Sequence, residues 1–442
     1  MKNKCFDPAS FKDPTGRVYW ENGKLFRSFN EKGQAHFIEL HAQRFYESAV
    51  EQGFLLDFEE IEKGSKVILA PRPIEWISYP YEWTPAQLKD AALFHLEFLT
   101  FCIERKVMIK DATPFNLQLE GNQWIFIDHG SFEPIQEDFS WKAYKQFCET
   151  FVGPLLISRY CGTNACLQFR LNLEGIKLEE VQSYMPFKAL FDGLYLFHVK
   201  AHAFFNSGTQ GSKKKQPSIS KAQTLKIIRH LKASIESLTF PRKKSNWSTY
   251  QQALPYRPEE LEQKKKFLAQ AFSLKNYQRL IDIGANHSDF LSIYPQQAQC
   301  ILIDQDFQSV ESLYHQTQHL CLVQDITQPS PALGLHLQER KSFGERMKVD
   351  LVLGLALIHH LFHGRNLPMN EIAKLFAAFK SDLIIEFVGP ADEQYQFIEN
   401  PENHHPYTQE LFELAFSKSY RLLAQQEVKT NKRWIYHYQW AG

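Results

Sequence analysis

Residues 279–290, RLIDIGANHSDF, decide the fold of the second half of this 442-residue chain. An apolar strand over 279–283 runs straight into a turn opened by Gly284 and then into a helical stretch. That strand–turn–helix arrangement is where nucleotide-containing cofactors sit in parallel α/β sheets. Gly284 lets the backbone pass close beneath a bound nucleoside because no side chain projects from it. Asn286 and Ser288 stand where such turns often carry further glycines, and Asn tolerates left-handed backbone angles. The turn alone does not single out one cofactor, because Gly-containing strand turns serve many folds.

Working outward, the strand CILID ends at Asp304, about twenty residues past the glycine, where a carboxylate can accept hydrogen bonds from two ribose hydroxyls. Asp306 is placed by strand alternation to cap the next helix. LCLVQD ends at Asp325. VDLVLGLALIHHL begins at a structural Asp350 and brings His359 and His360 to its carboxyl end, the edge at which open sheets bind ligands. DLIIEFVG carries Glu386, and RLLAQQEV, KTNKR and WIYHYQW read as a closing antiparallel hairpin. From Glu259 onward helix alternates with strand, which predicts an α/β fold with a mostly parallel sheet covered on both faces.

This seven-stranded, Rossmann-like pattern resembles the class I S-adenosylmethionine-dependent methyltransferases, whose first motif, D-x-G-x-G-x-G, is matched by Asp282 and Gly284 with Asn286 and Ser288 replacing the later glycines. The resemblance implies S-adenosyl-L-methionine as cofactor. It places Asp282 toward the methionine amino group, Asp304 on the ribose and Asp325 on the adenine amino group, with Gly284 and Asn286 completing the cofactor-binding set. A general base is needed only for a weakly acidic acceptor. His360 and Glu386 are the candidates, with His359 and His363 beside them; each histidine can equally be a packing residue. Trp247, Tyr250 and Tyr256 either cover the cofactor or pack between domains.

The first half is a different fold. Residues 17–30 read as a hairpin turned at Asn22-Gly23, 35–55 as one amphipathic helix, and VILA (67–70) and IEWISY (74–79) as strands. A long helix starts at Pro85. IKDATPFNLQLEGNQWIFIDHGSFE, residues 109–133, then carries Asp111, Asn116 and Asp128. Asn116 falls five places after Asp111, as in H-R-D-x-x-x-x-N, and Asp128-His129-Gly130 stands where D-F-G belongs. With the hinge-like YPYEW at 79–83, this half resembles an α+β protein-kinase fold, most closely the aminoglycoside and choline phosphotransferase branch. It departs from that pattern at Ile109 and Lys110, lacks an evident glycine-rich loop, and has Arg27 where the nucleotide-binding lysine is expected. If the half is an active kinase, the resemblance implies Asp111 as catalytic residue and Asn116 with Asp128 holding magnesium on ATP. If it is a pseudokinase, it is a scaffold or substrate-binding module.

SFKDPTGRVY, YPYEW, KDATPFN, FIDHGSFE, DIGAN, LALIHHL and IIEFVG resemble, over nearly the full length, a bacterial family described as class I methyltransferases, some of them host-specific nodulation proteins. That implies a glycan or small-molecule acceptor. The expected organisation is a kinase-like domain over 1–205, a basic linker over 206–246 rich in lysine and arginine (Lys213, Lys214, Lys215, Lys221, Lys226, Arg229, Lys232, Arg242, Lys243 and Lys244), which reads as a solvated linker followed by a helix with one charged face in preference to a docking site for a polyanion, and the methyltransferase domain over 247–442.

Lys plus Arg and Asp plus Glu each total 50, so no global field draws the protein toward nucleic acid. Seven scattered cysteines without metal-binding spacing, together with the lack of a signal-like or membrane-spanning stretch, fit a soluble cytoplasmic protein. Two alternatives stay open: a bifunctional kinase–methyltransferase, and a non-catalytic interaction protein in which Asn286 and Ser288 mark lost cofactor binding.

Overall fold

The computed structural model describes residues 4–63, 66–201, 218–241, 257–286, 290–398, 400 and 402–442. Ser288, the aromatic residues Trp247, Tyr250 and Tyr256, and the cations Lys213, Lys214, Lys215, Arg242, Lys243 and Lys244 lie outside the described residues. The chain divides into two compact units. The first comprises Met1–Lys243 and Pro331–Lys341, the second Lys244–Ser330 and Ser342–Gly442. Among the described residues no helix is long and apolar enough to cross a membrane.

The first unit opens with an antiparallel five-stranded sheet. Its strands are β1 (Lys4–Phe6), β2 (Gly16–Glu21), β3 (Lys24–Phe29), β4 (Phe58–Lys63) and β5 (Lys66–Pro71), in the order β1-β2-β3-β5-β4. Asn22 and Gly23 both have positive φ, the backbone a two-residue hairpin turn requires. The single helix expected over 35–55 is two, Glu31–Ala42 and Phe45–Glu51, because Arg44 adopts left-handed angles between them. IEWISY forms no strand. At Ser78 a side chain meets the backbone instead: the Ser78 N–H donates to Gln118 Oε1 at 2.9 Å, and Gln118 Nε2 donates to the Ser78 carbonyl at 3.1 Å.

Helix Pro85–Glu104, capped by Thr84, is buried along most of its length and leads into β6 (Val107–Ile109), β7 (Leu117–Glu120), β8 (Gln123–Phe126) and β9 (Phe132–Pro134). Within the connector expected over 206–246, the stretch read as a helix with one charged face is helical. Lys221–Glu236 is a helix of the first unit whose Thr224, Ile228, Leu231 and Ile235 are buried, and it packs along helix Pro85–Glu104. An apolar stripe at helical spacing outweighs the surrounding lysines. Lys89 Nζ donates to the carbonyls of Glu236 and Leu238, each at 2.8 Å, and so satisfies the end of that helix.

Pro331–Lys341 also belongs to the first unit. Leu333 packs against a cluster of Tyr79, Tyr81, Phe115 and Phe169. The Arg340 guanidinium lies 4.5 Å from the Phe115 ring centre, the Lys341 N–H donates to the Tyr79 hydroxyl at 3.2 Å, and Glu339 pairs with Lys12 at 3.3 Å.

The second unit is built on β10 (Arg279–Ile283), β11 (Gln299–Asp304), β12 (Leu320–Val323), β13 (Leu351–Gly354), β14 (Asp382–Val388), β15 (Tyr420–Lys429) and β16 (Arg433–Trp440). They form one seven-stranded sheet in the order β12-β11-β10-β13-β14-β16-β15. The pairs among β10 to β14 are parallel; β16 runs antiparallel to both β14 and β15. β10 lies between β11 and β13, so the chain leaves it first to one side and later to the other. This is the switch point at which an open sheet leaves a crevice beyond its strand ends.

Candidate cofactor edge and acidic loop

At the carboxyl end of β10 the Gly284 and Ala285 N–H groups donate to the Ile303 carbonyl at 2.9 and 3.0 Å, which turns the chain beside β11. Gly284 has φ +76°, and a Cβ there would meet Leu357 Cδ1 at 3.4 Å. Asn286 adopts φ +46° and anchors the turn: its N–H donates to Asp304 Oδ2 at 3.1 Å and its side-chain oxygen accepts from Ser309 Oγ at 3.2 Å. Asp304 also accepts from the Asp306 N–H at 2.8 Å. Asp306 caps the helix Phe307–Gln316 through the Gln308 N–H. Burial pushes the Asp304 carboxyl up to about 6 despite those two backbone donors.

Asp282 lies beneath the turn, buried, with the Tyr294 hydroxyl donating to its Oδ2 at 2.5 Å. Burial raises it to about 6, against the hydroxyl and the nearby Lys264 charge. Asp325, beyond β12, accepts from the Thr327 N–H and hydroxyl at 2.8 and 2.6 Å, and its other oxygen pairs with Arg365. Arg365 also donates to Gln305 Oε1 at 2.9 Å and thereby links the ends of β11 and β12. Gly284, Asn286, Asp304 and Asp325 therefore share one edge of the sheet.

The base candidates fare differently. Glu386 is fully buried, with Lys264 Nζ 2.7 Å from Oε2 and Arg433 Nη1 3.7 Å from Oε1. Arg433 in turn makes two 2.8 Å hydrogen bonds to Asp392, which Lys429 approaches at 3.2 Å. Glu386 is thus enclosed in a buried network of charge pairs. His359 is buried with no hydrogen bond at either ring nitrogen, and its ring centre lies 4.2 Å from that of His360. Burial, with the Arg433 charge, lowers His360 to about 4, so it is neutral at pH 7 and a weak base. His363 Nδ1 accepts from the Asn400 N–H at 3.3 Å and its ring packs on Tyr395 and Tyr407.

In the first unit the Ile127 N–H donates to the Asn116 carbonyl at 2.9 Å, joining the loop that begins at Asp111 to the one that carries Asp128. Arg27 occupies the space between Asp128 and Asp13: Nη1 is 2.5 Å from Asp128 Oδ1, and Nη2 pairs with Asp13. Gly130 makes room for this arginine, since a Cβ there would stand 2.0 Å from Nη2. Asp111 reaches solvent, yet desolvation by the surrounding loop and repulsion from Asp128 raise its proton affinity. The expected magnesium ligand Asp128 is thus committed to a guanidinium. Among the described residues no group of three or more His, Cys, Asp or Glu side chains is arranged to hold a metal ion.

The sequence reading missed Lys264, Tyr294, Arg365 and Arg433. Lys264 left a signal: it stands in register with Phe267, Leu268, Ala271 and Phe272 on the apolar stripe of helix Pro258–Leu274.

The chain is similar over nearly its whole length to nodulation protein NoeA of Rhizobium meliloti (strain 1021). The two are 28% identical over 455 residues, spanning 98% of this chain and 95% of that protein. No protein-family model matches it. Solved structures similar to it include the N-methyltransferase NodS of Bradyrhizobium japonicum WM9, 11% identical over 43% of this chain and 100% of that one, with a TM-score of 0.32. The bifunctional kinase-methyltransferase WbdD is 13% identical over 42% of this chain and 41% of its own, with a TM-score of 0.29.

Proposed function

We propose that the second unit is an S-adenosylmethionine-dependent methyltransferase domain, and that the first is a kinase-like module that binds or presents the acceptor without phosphorylating it. The observation that carries the reading is the positive-φ turn at Gly284 beside the Asp304 carboxylate on the adjacent parallel strand, at the switch point of the sheet. When bound, the cofactor supplies an activated methyl group on a sulfonium, so the chain has mainly to position the acceptor and exclude water. Gly284 offers a surface free of side-chain bulk. Asp304, held by two backbone N–H groups, keeps lone pairs for hydroxyl donors, and Asp325 can accept from an amino group. His360, neutral at pH 7, can accept a hydrogen bond from an acceptor hydroxyl or amine. The acceptor in this reading is a glycan or another small molecule.

Calorimetry with S-adenosylmethionine and S-adenosylhomocysteine tests the cofactor: binding weakened by Asp304→Ala is expected, and no binding by the unaltered protein refutes the reading. Mass spectrometry of an extract treated with isotope-labelled S-adenosylmethionine identifies the acceptor. A bifunctional kinase–methyltransferase would need Asp128 and Asn116 free to hold magnesium on ATP, and the Arg27–Asp128 pair weighs against it. A thermal shift with ATP and magnesium that Asp128→Asn abolishes would reverse that judgement.

A further inference from the structure

We propose that the face of the first unit carrying Phe187, Phe191 and Phe197 docks on an anionic lipid surface. Phe187 and Phe191 bracket the short helical turn Phe187–Phe191 and are 78% and 83% exposed, with ring centres 6.1 Å apart. Phe197 is 59% exposed, lies beside Gly193 and meets the His230 ring edge-on at 5.6 Å. The three rings therefore line a strip that runs from that turn to helix Lys221–Glu236. Single exposed apolar side chains are ordinary on a protein surface, but an adjoining set of aromatic rings marks an interaction face.

What surrounds the rings selects the partner. Phe191 borders a pocket of about 390 Å³ with Arg159, Tyr160, Lys188, Asp192 and Ser234. Arg159 and Lys188 each stand 5.7 Å from the Tyr160 ring centre. Asp192, the carboxylate there, accepts from the Tyr160 hydroxyl at 2.8 Å and the Leu194 N–H at 2.9 Å and pairs with Arg159 at 3.8 Å, so among the described residues the pocket's cation without a paired carboxylate is Lys188. On the neighbouring helix Lys226 falls one turn before His230, and Arg229 is exposed. Exposed aromatic rings beside the exposed cations Lys188, Lys226 and Arg229 match a bilayer interface, where rings enter the headgroup layer and the cations meet lipid phosphates. A second copy of this chain fits less well, because a two-fold contact would set this basic face against itself. With no spanning helix among the described residues, the association would be peripheral.

The test is co-sedimentation of the full chain with vesicles of phosphatidylcholine alone and of phosphatidylcholine mixed with phosphatidylglycerol, at low and high salt. At low salt the bound fraction should rise at least roughly fivefold with phosphatidylglycerol, and it should fall as salt is added. The triple variant Phe187→Ser/Phe191→Ser/Phe197→Ser should remove binding, and Lys188→Glu/Lys226→Glu should remove the preference for anionic vesicles, both with unchanged thermal unfolding. Should the triple variant unfold, the charge-reversed protein carries the test alone. Equal binding to both vesicle types, no binding to either, or a concentration-dependent dimer that the serine variant abolishes would overturn the proposal.

Discussion

Lys264 Nζ stands 2.7 Å from Glu386 Oε2 with both side chains buried, so helix Pro258–Leu274 is fastened to the sheet interior by a charge pair. Removing Lys264 leaves Glu386 buried with the more distant Arg433, 3.7 Å away, to balance it. Lys264→Met should therefore lower the unfolding free energy by about 3–5 kcal/mol, read from urea denaturation. Lys264→Met/Glu386→Gln should recover a large part of that loss, because the stranded charge is gone.

Asp282 predicts a pH dependence of stability. Its carboxyl titrates near 3.8 when unfolded and about 6 when folded. A raised folded value means that the native state holds the proton more tightly. The stabilisation is full below pH 3.8 and is lost as pH rises through 6. Asp282→Asn, which keeps an acceptor for the Tyr294 hydroxyl, should be more stable than the unaltered protein by about 1–3 kcal/mol at about pH 8. The gap should close in acid. Denaturation curves across the pH range measure it.

Gly284→Ala forces a side chain into left-handed backbone angles and toward Leu357. The strain should cost about 1–2 kcal/mol of stability. Affinity for S-adenosylhomocysteine should fall by roughly tenfold or more if the cofactor lies on this turn. Calorimetry and thermal melts separate the two effects. A loss of stability with unchanged affinity would place the cofactor elsewhere.

Gly130 and Arg27 should behave as one unit. Gly130→Ala intrudes on a guanidinium pinned by two carboxylates and should cost about 1–3 kcal/mol. In Arg27→Lys the shorter fork-less head relieves the clash, so the double variant should be less destabilised than the sum of the singles. A double-mutant cycle by denaturation measures the coupling.

The strands of the second unit could be read from the sequence because each apolar run stops at a polar or glycine residue that also marks the sheet edge: Ile283 before Gly284, the last strand residue Asp304, and Val323 two residues before Asp325. Those signals are local. IEWISY has the composition of a strand, but a distant glutamine, Gln118, took up the Ser78 backbone groups, and no local pattern announces that. A helix with one charged face was legible within the basic connector, but that Thr224, Ile228, Leu231 and Ile235 pack on helix Pro85–Glu104 depends on a distant element. The roles of Glu386 and Asp128 depended on cations from other elements, Lys264 and Arg433 for one and Arg27 for the other. Arg27 was noted as a departure from the kinase pattern; that it would fill the space beside Asp128 is a matter of side-chain reach, visible only in three dimensions.

The excursion Pro331–Lys341 makes the chain change units at 243/244, again at 330/331 and again at 341/342. A fragment ending at Lys243 would lack the residues that set Leu333 on the tyrosine cluster and Arg340 on Phe115. The two halves are therefore not interchangeable cassettes. A genetic fusion or swap made at the connector would strip the first unit of part of its own core, so recombination has to move both halves together or rebuild that face.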